Sequence, residues 1–312
     1  MPATSNHHQA VLLSEALAAL AIQPAGCYVD GTFGRGGHSG QIMQQLGPAG
    51  RLIAFDKDPT AIQVAHTQYS DETRFQIHHR RFAEMLPALA PQGKIKQVNG
   101  LLLDLGVSSP QLDQAERGFS FRQDGPLDMR MDSSQGETAA EWLAQITEAE
   151  LVHILFKYGE ERFARRIAGA IVRERTQTPI TRTQQLAQLI ERAVPSREKR
   201  KHPATRTFQA IRIALNHELD ELQHVLADAL QILAPGGRLV VISFHSLEDR
   251  IVKQFIRTQA QGPQIPKSVP IIGTDNNGTL RPIGKAQKPS PAEIQTNPRA
   301  RSAVLRVAEV LA

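Results

Sequence analysis

The sequence predicts an α/β fold in which a parallel sheet is interrupted by a helical insertion, and three observations carry that prediction. Runs that are apolar along their whole length, at Val29, Leu52 to Phe55, Leu101 to Leu103 and Leu239 to Phe244, recur with helix-length segments between them. This is the pattern of strands covered on both faces. The rhythm stops between Leu105 and Thr207, where Phe163, Ile167, Ala170 and Ile171, and then Leu186, Leu189, Ile190 and Ala193, recur at helical spacing. Finally, Asp30 to His38, Asp56, and Asp104 to Pro110 each sit where an apolar strand ends. Ligand crevices of open α/β sheets lie beyond the carboxyl ends of the strands, so these three segments predict one shared pocket.

Taken in order, Val29 belongs to the first strand, and the glycines 31, 34, 36 and 37 lead into a helix beginning near His38. The next strand carries Asp56 at its end, and the third carries Asp104. In the insertion, Thr183 is expected to cap a helix that Pro195 closes, because proline cannot continue a helix interior. Leu219, Leu222, Leu226, Leu230 and Leu233 then predict an amphipathic helix stopping at Ala234-Pro235-Gly236-Gly237, followed by the strand Arg238 to Phe244. Ser246 with Asp249 three positions later reads as a capping box. Gln259 to Pro298, rich in Pro, Gly and Asn, predicts an extended loop around a short strand near Leu280, and Ser302 to Val310 an edge strand. The expected divisions are 1–112 for the first part of the sheet domain, 113–205 for a helical insertion serving substrate recognition, and 206–312 for the second part of the sheet domain.

A chain of 312 residues holds one large domain or two ordinary ones. No run approaches the roughly 20 apolar residues of a membrane helix, and the start, Met-Pro-Ala-Thr-Ser-Asn-His-His, lacks a basic region followed by an apolar stretch. The expectation is a cytoplasmic protein with no membrane partner. The single Cys27 excludes an internal disulfide and a multi-Cys metal site, and His7-His8 and His78-His79 lack ligand spacing, so no metal is expected. The net charge of +5 fits a polyanionic partner if the cations cluster on one face. Arg197, Lys199, Arg200, Lys201, His202 and Arg206 form one block, Arg299, Arg301 and Arg306 another, and Arg162, Arg165, Arg166, Arg173 and Arg175 stud one helical segment. The alternative for each cluster is a solvated helix face.

The Gly-rich loop lets backbone approach a ligand where a Cβ would obstruct it. Asp56, 25 positions beyond Gly31, ends the next strand, where a carboxylate can accept both ribose hydroxyls of an adenosine. The loop reads G-x-x-G-x-G-G, which lacks the G-x-G-x-x-G spacing of dinucleotide sites and the G-x-x-x-x-G-K-[ST] of phosphate-binding loops. S-adenosylmethionine is the better fit. A tight turn with a buried helix start is the structural alternative.

The chain resembles the bacterial 16S ribosomal RNA (cytosine-N4)-methyltransferases over nearly its whole length. The resemblance rests on Asp30-Gly-Thr-Phe-Gly-Arg-Gly-Gly-His-Ser39, Leu103-Asp-Leu-Gly-Val-Ser-Ser-Pro-Gln-Leu-Asp113, Arg117-Gly-Phe-Ser-Phe121 and Gly125-Pro-Leu-Asp-Met-Arg-Met-Asp132. It continues in His202-Pro-Ala-Thr-Arg-Thr-Phe-Gln-Ala210, Pro235-Gly-Gly-Arg-Leu239, Ser243-Phe-His-Ser-Leu-Glu-Asp-Arg250 and Asn297-Pro-Arg-Ala-Arg-Ser302. It implies a Rossmann-like class I S-adenosylmethionine methyltransferase sheet with an inserted all-helical domain. It further implies methylation of the N4 of a cytosine in the decoding region of small-subunit ribosomal RNA, probed as free RNA or within the small ribosomal subunit. Carried over by position, the donor contacts fall on Gly36, Gly37 and His38, on Asp56 for the ribose, on Phe82 beside the adenine, and on Asp104 and Gln111 near the methionine portion.

A sulfonium methyl is already activated, so such an enzyme chiefly places a nitrogen in line behind it and excludes water. Asp104 is the expected catalytic residue, as an acceptor for the cytosine amine; serving the donor's amino group alone is the alternative. Related amino-methylating enzymes carry a D/N/S-P-P-aromatic loop where this chain has Asp104-Leu-Gly-Val-Ser-Ser-Pro110. Phe119, Phe121 and Phe244 are candidates to line a pocket for a flipped base, with core packing as the alternative. Lys199, Arg200, Lys201, Arg206, Arg299 and Arg301 are the expected phosphate contacts. Competing readings are a methyltransferase of this fold acting on another substrate, and an RNA-binding ribosome assembly factor with a vestigial cofactor pocket.

Overall fold

The computed structural model describes residues 10–195, 202–262 and 278–312. They divide into two compact units, the first comprising the chain up to Gly106 together with Leu219–Ala312, the second Val107–Glu218. In chain order the first unit begins with α1 (Leu13–Leu20), β1 (Cys27–Asp30), α2 (Gly37–Gln45), β2 (Arg51–Asp56), α3 (Pro59–Gln68), β3 (Phe75–His79), α4 (Met85–Leu89) and β4 (Val98–Asp104). The second unit holds α5 (Ser109–Asp113), α6 (Ala139–Gln145), α7 (Glu148–Gly159), α8 (Ala164–Arg175), α9 (Thr183–Ala193) and α10 (Ala204–Leu215). The chain then supplies α11 (Glu218–Ile232), β5 (Leu233–Ser243), α12 (Ser246–Gln261), β6 (Leu280–Pro282), α13 (Pro291–Thr296) and β7 (Val304–Val310).

The first unit is built on one sheet of order β3-β2-β1-β4-β5-β7-β6. β1 to β5 pair in parallel, and β7 runs antiparallel to both β5 and β6. Strand order reverses between β1 and β4, so the crevice of the sheet opens at the carboxyl ends of those strands. Successive side chains of each strand alternate between faces. Val29, Ile53, Phe55, Leu101, Leu103, Leu239 and Val241 are buried with residues of α11 and α12, whereas Tyr28, Leu52, Leu102, Val240 and Ile242 are buried with residues of α1 and α2. Strands covered on both faces must be apolar throughout, which is why these four were legible as runs. β3 is the exception, because its residues are only partly buried at the sheet margin.

Several expectations need correction. β7 is not an edge strand: it lies between β5 and β6, with Leu305 and Val307 buried with residues of α1 and α2 and Ala308 and Val310 with residues of α11 and α12. The short β6 lies outside it and contains Pro282, a residue that donates no ladder hydrogen bond. The segment read as one extended loop includes the end of α12 and all of α13. β5 begins at Leu233, expected as the last helical position, and runs through the expected turn, and its pairing with β4 shifts register between Val98 and Gly100. The N-cap of α12 is His245, whose side chain accepts from the Glu248 backbone N–H, rather than Ser246.

The second unit is all helical apart from an isolated bridge between Pro126 and Arg182. It is wider than the expected 113–205 because α10 buries Phe208, Ala210 and Ile211 in the same core as Leu155, Ile167, Ile171, Leu186 and Ile190, and Val107 and Leu112 pack against that core. Asn216 donates to the Met129 carbonyl and accepts from the Met131 N–H, both at 2.8 Å. Buried Arg117 donates to the Arg130 and Met131 carbonyls. Thr183 is the first residue of α9, and its hydroxyl accepts from the Gly125 N–H instead of capping the helix. Gly125 has no room for a side chain, since a Cβ would overlap the Ala115 carbonyl. No described helix is long and apolar enough to cross a membrane.

Candidate functional site

Three carboxylates converge at the carboxyl edge of the first unit. Asp30 pairs in register with Ala54 of β2 and Leu102 of β4. Asp56 and Asp104 stand two residues beyond those partners, so the alternation of the strands places all three on one face. Buried Asp30 accepts from the Ser39 hydroxyl at 2.7 Å and from the Thr32 N–H at 3.0 Å. The Thr32 hydroxyl accepts from the Asp104 N–H at 2.7 Å. Asp56 accepts from the Gly34 N–H at 2.7 Å and the Asp58 N–H at 2.8 Å.

Asp104 has no such settlement. Its Oδ1 is buried with no hydrogen-bond partner among the described residues, and its Oδ2 lies 3.6 Å from His38 Nδ1, too far for a good hydrogen bond. His38 Nε2 lies 3.2 Å from the Val11 carbonyl, an acceptor only, so Nε2 carries the proton. Burial lowers the His38 pKa, outweighing the pull of Asp30, so the ring is neutral and leaves the carboxylates uncompensated. Burial raises the Asp30 carboxyl and moves Asp56 to about 6. Asp104 is raised well above the usual range by burial first, then by the charges of Asp30 and Glu248. A site of one buried and two half-buried, mutually repelling carboxylates with an orphaned acceptor suits a cationic ligand, whose charge would lower these pKa values.

The glycine loop borders this edge. Gly36 holds the left-handed conformation at φ 76° as N-cap of α2, and no side chain caps the helix. A Cβ on Gly36 would stand 2.7 Å from Gln68 Oε1 and 2.9 Å from the Phe33 ring. The first amides of α2 therefore begin directly after a residue without a side chain, an arrangement suited to an anionic ligand group.

One supporting network gave no local signal in the sequence. Glu221 of α11 accepts from Lys57 Nζ at 2.9 Å and lies 3.8 Å from Arg81 Nε. Lys57 Nζ in turn lies 6.0 Å from the centre of the Phe82 ring. Glu221 thereby ties the loop after β2, which carries Asp56, to the turn after β3, which carries Phe82. The partners are 164 residues apart, so no spacing rule could have found the pair. Asp30, Ser39 and Thr32 were within a recognised motif, but their role as a scaffold for Asp104 is a product of the register.

The remaining expected residues fall as follows. Gly36, Gly37, His38, Asp56, Phe82 and Asp104 all belong to the first unit, and Gln111 belongs to the second. There buried Gln111 is N3 of α5, and its Oε1 accepts from the Ser108 N–H at 2.9 Å. Arg206 lies on α10 of the second unit. Arg299 and Arg301 lie on a 3-10 turn, Pro298–Ser302, just before β7. Because Val304 pairs with Ser243, this turn is at the carboxyl end of β5. Lys199, Arg200 and Lys201 lie outside the described residues. Phe119 is buried in the helical core, Phe121 packs on His202 and Phe208, and Phe244 packs partly buried in the first unit. Arg175 is drawn from its expected basic face to the Leu143 and Ile146 carbonyls.

A match to the MraW methylase family spans residues 5–311. The Ribosomal RNA small subunit methyltransferase H of Thioalkalivibrio sulfidiphilus is 58% identical over 307 residues, covering 98% of this chain and 98% of that one. The protein of the same name from Chromohalobacter salexigens is 56% identical over 310 residues, covering 99% and 93%. That from Coxiella burnetii is 55% identical over 304 residues, covering 97% and 99%.

Proposed function

This chain belongs to the MraW methylase family, and on that premise we propose that it transfers the methyl group of S-adenosylmethionine to N4 of a cytosine in the decoding region of 16S ribosomal RNA. The observation that carries the reading is the carboxylate edge of Asp30, Asp56 and Asp104, with Asp104 Oδ1 buried and unpartnered. The donor is a cation with a ribose, and the residues present fit it. Bound there, it supplies a methyl group already activated by the sulfonium.

Each Asp56 oxygen accepts one backbone N–H and keeps a lone pair for a ribose hydroxyl. Phe82, half-buried beside Lys57, offers an apolar surface to the adenine. Gly36 opens the α2 amides toward the donor's carboxylate. Asp104 Oδ1 is the acceptor for a proton-bearing amine. A cytosine amine is a poor nucleophile because its lone pair is delocalised into the ring, and hydrogen bonding of its N–H to Asp104 favours the attacking form. The positive charge of the donor lowers the Asp104 pKa, so the carboxylate enters the reaction ionised and able to take up the proton that N4 releases. His38 holds the Val11 carbonyl through Nε2, keeping a neutral ring beside Asp104. Gln111, carried over by position from the sequence resemblance, is proposed to lie near the methionine portion. No step requires a metal.

The second unit serves substrate recognition, and Arg206 of that unit, Arg299 and Arg301 of the first unit and the segment Lys199 to Lys201 are the phosphate contacts. The working compartment is the cytoplasm, where ribosomal subunits are assembled. The test is transfer of labelled methyl groups from S-adenosylmethionine to small ribosomal subunits, naked ribosomal RNA, DNA and bulk protein, with the product identified by mass spectrometry. N4-methylcytidine formed only on ribosomal substrates is the expected result. Label in DNA or protein refutes the RNA assignment.

A further inference from the structure

Away from the carboxylate edge, the first unit contains a cavity of about 280 Å³ between the later turns of α12 and the end of β6 with the loop that follows it. Ile256, Ile283 and Val307 form apolar parts of its lining, and Lys253, Arg257 and Lys285 bring three cations to it. Lys253 and Arg257 are one helical turn apart on α12, so they share a side of that helix. All three cations are exposed, and none has a carboxylate partner among the described residues. Arg306, also in the lining, is different, because it is bound through two nitrogens to Asp249 at 2.7 and 3.0 Å. The cavity is therefore apolar within, positive at its mouth, and not neutralised by the protein itself.

We propose that this cavity binds one nucleotide of the RNA strand flanking the target, its base on the apolar floor and its phosphates between Lys253, Arg257 and Lys285. The proposal rests on the reading of the protein as an RNA methyltransferase and adds a second point of attachment to it. Charge complementarity selects an anion, and the volume, just below the roughly 300 to 1,000 Å³ of ligand pockets, suits a single nucleotide better than a folded protein segment. The location agrees. α12 begins at Ser246, at the carboxyl edge of the sheet. With a rise of about 1.5 Å per residue, Lys253 and Arg257 stand about 10 and 16 Å along the helix from that edge. At about 3.4 Å per stacked nucleotide, that reach corresponds to about three to five nucleotides from the base being methylated.

Single-stranded binding loses about 0.7 of log-log salt slope for each phosphate contact removed. One nucleotide within a strand is flanked by two phosphates, so the full-length variant Lys253→Ala/Arg257→Ala/Lys285→Ala should lower the slope by about 1.4. The same relation gives an affinity about 14-fold weaker at 0.15 M salt. We would titrate naked small-subunit ribosomal RNA with wild type, this variant and a charge-matched control, Arg51→Ala/Lys94→Ala/Lys96→Ala, in which Arg51 opens β2 and Lys94 and Lys96 precede β4, at the opposite edge. Methyl transfer to small subunits would be followed in parallel. The expected result is a raised KM for RNA with kcat within twofold, less than a threefold effect in the control, and rescue by Lys253→Arg/Lys285→Arg with Arg257 retained. An affinity within threefold of wild type in the cavity variant overturns the proposal, as does equal weakening by both triple variants, which would make net charge the sole cause. A wild-type protein that transfers methyl to no RNA refutes the underlying reading, a result distinct from a cavity variant that transfers normally.

Discussion

Asp56→Ala separates what the site does for the donor from what it does for the fold. In the free protein, the substitution leaves the Gly34 and Asp58 amides without their acceptor, at a cost of about 1 to 2 kcal/mol each. It also removes a carboxylate whose pKa stands at about 6 rather than its ordinary 3.8. At neutral pH that shift corresponds to about 3 kcal/mol of strain from holding the charge. The two effects oppose each other, so the stability of the variant should lie within about 2 kcal/mol of wild type by urea denaturation. Donor binding has no such compensation. Two ribose hydroxyls lose a charged acceptor, each bond contributing about 1.5 to 3 kcal/mol, so the Kd for S-adenosylmethionine should rise by roughly 100-fold or more by calorimetry. RNA affinity should not change. The sign of the pH effect follows from the raised pKa. Stability from Asp56 is fully present below 3.8 and lost as pH rises through about 6. Donor affinity runs the other way, falling as pH drops through about 6 and the carboxylate protonates. A variant Kd within tenfold of wild type, or one that keeps the wild-type pH dependence, would refute the assignment of Asp56 to the ribose.

Asp104→Asn removes a charge that faces Asp30 and Glu248, so the free protein should melt at the same temperature or higher while methyl transfer falls by about 100-fold or more; transfer within tenfold of wild type excludes Asp104 from the chemistry. Glu221→Gln should raise the donor KM by about tenfold with kcat nearly unchanged, because a half-buried Lys57 loses its partner and the Phe82 turn loses its tie; an unchanged KM in steady-state assays would show that the network is only structural. Gly125→Ala should destabilise the helical unit by about 3 kcal/mol or more through overlap with the Ala115 carbonyl, and denaturation within 1 kcal/mol of wild type would contradict that packing.

Much of the site was legible because its signals are local. A strand buried on both faces has to be apolar at every position, so Leu52 to Phe55 and Leu101 to Leu103 stood out, and the carboxylates at their ends were marked by position alone. The glycine loop was legible because the left-handed Gly36 and the tight packing at its α-carbon tolerate no side chain. β3 and the rank of β7 were not legible in this way. Phe75 to His79 is only half-buried and carries a weaker pattern, and whether Val304 to Val310 is an edge or an inner strand depends on the partner that pairs beyond it.

Chain sequence by itself determined the α/β class, the break into a helical segment, the glycine loop after the first strand and the carboxyl-end placement of Asp30, Asp56 and Asp104. Each of these rests on periodicity or on the residue that follows a strand, properties that a few neighbouring side chains express. Tertiary structure alone decided that the three carboxylates share a face, that Asp104 Oδ1 has no partner, that Glu221 reaches Lys57 across 164 residues, and that the helical unit extends from Val107 to Glu218. It also decided which basic residues are committed: Arg175 and Arg306 have internal acceptors, while Lys253, Arg257 and Lys285 face one cavity. Charge compensation depends on distances of a few ångströms between residues remote in the chain, and only the packed fold sets those distances.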